Sequence, residues 1–126
     1  MELEQKKELA PEILRQFSGS DSYHRHWLKP HFMMTAGINH TCENGLAWFT
    51  DIIFSAQKKV KVATEDFQVW HLRKIKSGGC VVEAEDGNGN RIYRQRIPFT
   101  DYPFDKFKAY AVQSDALLVA MLPGEY

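Results

Sequence analysis

The stretch that most constrains this chain is residues 80–99, which reads as two strands folded back around Asp86-Gly87-Asn88-Gly89-Asn90. Asn-Gly tolerates the positive φ of a type I′ turn, so Asn88-Gly89 is expected to form a two-residue hairpin loop. Opposite residues then sum to 177. Cys80, Val82 and Ala84 share one face with Tyr93, Gln95 and Ile97, while Glu83 lies opposite Arg94 on the other. That charge pair is worth a few tenths to about 1 kcal/mol. Shifting the register by one residue loses this agreement.

The flanking segments extend the sheet. Phe67 and Val69 point one way and Trp70 and Leu72 the other, which predicts an interior strand over Phe67–Ile75. Two short strands, Phe107–Gln113 and Ala116–Leu122, read as a hairpin through Ser114-Asp115, ended by Pro123-Gly124. Upstream, Asn44 is an expected N-cap for a helix from Leu46 to about Val60. Leu46, Phe49, Ile52, Ile53, Ala56 and Val60 form its apolar arc, and Asp51, Ser55 and Lys58 a thin polar strip. Gln57 falls inside the apolar arc, where its amide must find hydrogen-bond partners or cost a few kcal/mol.

The amino-terminal segment places Ala10, Ile13, Leu14 and Phe17 at helical spacing, with a stop near Ser18-Gly19. Pro11 requires either that the regular helix begin near Ala10 or that residues 2–9 form a kinked first piece. Between the helices, Phe32 to His40 is expected to be extended, with a turn over Cys42-Glu43-Asn44-Gly45. The fold class is therefore α+β: a mostly antiparallel sheet of about 4–6 strands, one long helix packed on it, and an N-terminal helix.

Size and charge narrow the functional classes. With 126 residues and no linker or repeat, the chain reads as a single domain, 1–126. Sixteen Lys+Arg balance 16 Asp+Glu for a net charge of zero, against a surface that is basic throughout. Two cysteines make no disulfide framework, and no apolar run approaches the roughly 18 residues of a membrane span. Charged residues from Met1 to Glu8 leave no apolar signal core, so a cytoplasmic location without membrane attachment is expected.

Several stretches taken together resemble an uncharacterised family of small bacterial and mobile-element (phage or plasmid) proteins. They are Trp48-Phe49-Thr50-Asp51-Ile52-Ile53-Phe54-Ser55-Ala56-Gln57, Phe67-Gln68-Val69-Trp70, Asp86-Gly87-Asn88-Gly89-Asn90, Gln95-Arg96-Ile97-Pro98-Phe99-Thr100-Asp101-Tyr102-Pro103 and Leu122-Pro123-Gly124-Glu125-Tyr126. The chain departs from the family pattern at Thr35-Ala36-Gly37, where Thr-Asp-Gly is usual, and at Ala56, where a larger residue is frequent. The resemblance implies a bacterial or phage context and no assigned chemistry.

Candidate sites divide by chemistry. His24-x-His26 in an extended segment is spaced as a zinc or iron site would use it, with His31, His40 or Asp21 as further ligands. Arg25 between them and the lack of a strong metal signature count against this, so no metal and no cofactor are expected. Cys42, near His40 and Asp51, is a weak nucleophile candidate, and Cys80 reads as core. Gln57 and Gln95, both on core-facing positions, form either a buried amide network or the polar floor of a helix–sheet pocket. Trp70 or Tyr93 would wall that pocket, and Thr100-Asp101 reads as a side-chain-capped turn.

Lys58, Lys59, Lys61, Arg73, Lys74 and Lys76 against Glu65 and Asp66 give residues 58–76 a local charge of +4 (6 − 2). Interleaved with aromatics, they offer a surface for single strands. The leading expectation is a non-enzymatic interaction module that binds a protein partner or itself, with 116–122 as an open edge for a homodimer. A metal-dependent or small-ligand enzyme built on His24, His26 and the pocket comes second, and nucleic-acid binding third.

Overall fold

The structure, a computed structural model, describes residues 7–18 and 22–126. Seven strands form one sheet in the order β1-β2-β7-β6-β3-β4-β5. They are β1 Tyr23–Arg25, β2 Phe32–Thr35, β3 Phe67–Lys74, β4 Cys80–Asp86, β5 Arg91–Ile97, β6 Lys106–Ser114 and β7 Leu117–Met121. Every pairing is antiparallel except β2 with β7. The class is α+β as expected, with more strands than the sequence suggested. A three-residue β1 and a four-residue β2 are too short to show a pattern of period two.

Helices cover one face of the sheet. α1 is Pro11–Leu14, with Pro11 in its first turn and the extended Ala10 as its N-cap. Lys7 and Glu8 are helical ahead of that break, while the rest of the expected first piece, residues 2–6, lies outside the described residues. Gly19 lies outside the described residues. The expected extended stretch Phe32–His40 is strand only to Thr35, whose hydroxyl then caps α2, Ala36–Thr41. The turn expected at residues 42–45 is a kink between two helices, where Gly45 has φ 107°. Only a residue without Cβ adopts that value freely. Asn44 is no N-cap; its amide donates to the His40 carbonyl at 2.8 Å, closing the end of α2.

α3, Ala47–Ser55, runs on through a 3₁₀ turn, Ala56–Lys58. Leu46, Phe49, Ile53 and Ala56 of the expected arc are buried in one core with Trp70, Leu72 and Phe107, Ile52 is half-buried, and Phe54, outside the arc, is buried as well. Val60 breaks the expectation at 76% exposed, because Lys59 is extended and resets the phase before α4, Val60–Ala63.

The hairpin register holds from Cys80↔Ile97 to Ala84↔Tyr93, each pair summing to 177. A bulge then shifts it to Glu85↔Arg91. The extra residue, Ile92, is thereby turned into the core. The loop is accordingly longer than a two-residue type I′ turn: the Asp86 N–H donates to the Asn90 carbonyl, and only Gly89 has positive φ, 87°. Strand 116–122 is not an edge. β7 lies between β2 and β6, so a homodimer through sheet edges would have to use β1 or β5.

Candidate functional site

The helix layer is tied to the sheet by a pair of amides. The Gln57 Nε2 donates to the Ile53 carbonyl at 2.9 Å and to Gln68 Oε1 at 2.8 Å, and Gln68 Nε2 returns a bond to Gln57 Oε1 at 3.0 Å. Gln68 is fully buried, and its Nε2 also faces the Val62 and Glu65 carbonyls at 3.0 and 3.1 Å. The Trp70 indole N–H, a donor only, reaches Gln68 Oε1 at 3.0 Å and so fixes which end of that amide is oxygen. Gln57 meets the need the helix phase predicted. Its partner is Gln68, whose parity with Trp70 and Leu72 in β3 was the available signal, and not Gln95.

In front of Gln57 the helix and sheet diverge into an open groove of about 540 Å³. Leu28, Phe32, Phe54 and Leu118 make its floor, with the Phe32 and Phe54 rings stacked at 4.7 Å. Its polar groups are Lys29, His31, Ser55, Gln57, Lys58 and Gln113, with no carboxylate among the lining residues. Beside it, His26 is buried against Phe54, ring centroids 4.5 Å apart. The Leu28 N–H donates to His26 Nδ1 at 3.2 Å, which leaves the ring proton on Nε2, 2.7 Å from Asp51 Oδ1. The exposed Trp27 indole donates to the same oxygen at 3.0 Å.

The other expected site residues lie apart from this groove. Trp70 is fully buried and lies tilted against Tyr93 at 5.2 Å, so it is core rather than a wall open to a ligand. Gln95 is exposed and accepts from the Tyr93 hydroxyl at 2.7 Å. It has core-face parity, but β5 is an edge strand. Thr100 is buried, and its Oγ1 accepts from the Tyr102 N–H at 3.1 Å, the capped turn expected there; Asp101 is exposed.

Neither histidine nor cysteine chemistry assembles. His24 and His31 are exposed and both ring nitrogens of His26 are taken, while Asp21 lies outside the described residues. Among the described residues no three His, Cys, Asp or Glu side chains converge as metal ligands. Cys42 faces Thr50 at 3.4 Å, while His40 turns to the Glu8 carbonyl at 2.9 Å. Burial pushes the Cys42 thiol above its ordinary value, and the Asp51 and Glu43 charges add to this against the Thr50 hydrogen bond. A thiolate nucleophile needs the opposite shift.

With this geometry in place, comparison with known proteins gives one match: the model of a family of unknown function covers residues 8–126. The chain belongs to that family, DUF6876. No curated protein and no solved structure matches it.

In this DUF6876 chain, the stretches that carried the resemblance act largely as scaffold. Gln57 from one and Gln68 from another form the buried pair. Leu122 to Tyr126 folds its penultimate residue inward: buried Glu125 accepts from the Thr35 hydroxyl at 2.6 Å, the Gly37 N–H at 3.0 Å and the Leu122 N–H at 2.9 Å. A carboxylate latch thus joins the ends of β2 and β7 to the start of α2, beside the residue Ala36 that departs from the family pattern. Among the described residues no helix is long and apolar enough to cross a membrane.

Proposed function

We propose that the protein is a non-enzymatic binding module, and that the groove in front of Gln57 takes a small organic anion with an apolar body. One observation carries this reading: Lys29, His31 and Lys58 surround an aromatic floor with no carboxylate in the lining. Neither lysine ammonium has an ion-pair or hydrogen-bond partner among the described residues. A volume of about 540 Å³ sits within the roughly 300–1,000 Å³ typical of small-molecule sites. Catalysis is not part of the proposal: the lining hydroxyl, Ser55, is turned to the Ile52 carbonyl at 3.3 Å, and the His31 ring packs edge-on against Phe32 at 4.6 Å. The bacterial or mobile-element context and cytoplasmic location implied by the sequence suit such a module.

The test is thermal unfolding with benzoate, phenyl phosphate and decanoate at millimolar concentration. At least one is expected to raise the melting temperature as its concentration rises, the added stability reaching about 2.7 kcal/mol at about 100 times its dissociation constant. K29E/K58E should unfold normally and lose that shift. No stabilisation by any of the three, or a shift that survives in the double variant, removes the proposal.

A further inference from the structure

The face of the sheet away from the helices is organised in rows, since residues paired across antiparallel strands point to the same side. One row runs Lys106, Arg73, Val81, Arg96 and the next Lys108, His71, Glu83, Arg94. The third runs Tyr110, Val69, Glu85, Arg91, and beyond it Val112 stands beside Phe67. Cations therefore gather at one end of the face and rings at the other.

Both carboxylates are matched internally. Glu83 is held by Arg73 at 2.6 Å and Arg91 at 3.4 Å, and Glu85 meets His71 at 3.1 Å. Arg94, Arg96, Lys106 and Lys108 are exposed and have no acidic partner among the described residues. At the other end Phe67 packs on Tyr110 at 4.9 Å, and Tyr126, 72% exposed, lies edge-on to both at 5.1 and 5.7 Å.

From this juxtaposition of four unpaired cations with an accessible aromatic cluster, we infer that the sheet face opposite the helices binds single-stranded nucleic acid. The cations take phosphates and the rings take unstacked bases, the two contacts by which a sheet holds a single strand without reading its sequence. A duplex fits less well. It hides its base faces, and the ribbon that would enter a major groove, the β4–β5 hairpin, carries Asp86 and no cation in its Asp86–Asn90 loop. Zero net charge does not oppose this, because Arg94, Arg96, Lys106 and Lys108 stand together on this surface.

The experiment is fluorescence anisotropy of a labelled thymidine oligonucleotide about 20 nucleotides long, enough for the roughly 4–16 nucleotides a small sheet module covers. It is run against the full chain between about 50 and 200 mM salt, with log affinity expected to fall by about 0.7 per phosphate contact for each unit of log salt. R94A/R96A alters only exposed side chains. It should weaken binding at least tenfold at low salt and reduce the salt slope by about 1.4, two contacts' worth. Tyr126→Ala should weaken binding about fivefold or more with the slope unchanged, since stacking releases no counterion. A duplex of equal length should bind more weakly than the single strand. The inference is overturned if the oligonucleotide fails to bind at low salt, an outcome that leaves the face to an acidic protein. It is equally overturned if duplex binds as well as single strand and Tyr126→Ala has no effect.

Discussion

Gln68 shows how much one side chain can hold. Its amide is the common partner of Gln57, the Trp70 indole and the Val62 and Glu65 carbonyls. An apolar replacement would leave several of these groups buried and unpaired, at about 1–3 kcal/mol each before relaxation. Gln68→Leu is therefore expected to lower stability by about 3 kcal/mol or more, about 10 °C in melting temperature for a chain of this size. Gln95→Leu should stay within about 0.5 kcal/mol, because that residue is exposed. Urea unfolding of the two variants side by side decides the matter, and equal losses would contradict the network. The contrast also marks what sequence reading reached at this scale. Parity along a strand placed Gln95 on the covered face and, had it been applied to β3, would have placed Gln68 there too, but parity says nothing about how far the covering helix extends. Gln68 sits under it in central β3, and Gln95 lies beyond it on the edge strand.

Among elements, the hairpin register was legible from strand alternation over Cys80–Ala84 and Tyr93–Ile97, although Glu83 forms its ion pairs with Arg73 and Arg91 and not with Arg94 opposite it. The bulge escaped, since Ile92 and Tyr93 alternate on paper as though no residue were added. α2 escaped because the strand ending at Thr35 runs straight into it, and Gly37 in its first turn argues locally against helix. A Cβ at Gly37 would lie 2.5 Å from Glu125 Oε1, so close approach of the latch explains that glycine. The hairpin loop gives a pH test. Asp86 accepts from the Asn90 and Asn88 N–H groups at 2.9 and 2.8 Å and from the Asn90 amide at 3.1 Å. The Asn90 backbone bond is the main cause that holds its carboxyl below the ordinary value. A depressed folded-state value stabilises the fold above the unfolded value of about 3.9 and is lost as pH falls through the folded one. Asp86→Ala should thus be less stable than the parent at pH 7, with the gap in urea midpoint narrowing in acid. A gap that stays constant into acid would show that the loop carboxylate is not what the bonds stabilise.

Over the whole molecule, neutrality is the sum of separated charges. The basic run 58–76 does not form one patch. Lys58 lines the groove on the helix side, whereas Arg73 stands on the face opposite the helices among the β5 and β6 cations. The two proposed surfaces thus lie on opposite sides of one sheet and share no residue. Sites without common partners act additively, and at about 0.15 M salt exposed charges are screened beyond about 8 Å. K29E/K58E is then expected to abolish stabilisation by small anions while changing oligonucleotide affinity less than about twofold at that ionic strength. R94A/R96A should do the reverse. Near 0.01 M salt, where screening reaches about 30 Å, the first variant should begin to weaken the oligonucleotide as well. Paired titrations of both variants at the two ionic strengths check this. If K29E/K58E removed both activities at the higher salt, the groove and the sheet face would be one continuous anion-binding surface, and the separation of charge across the sheet would have no functional meaning.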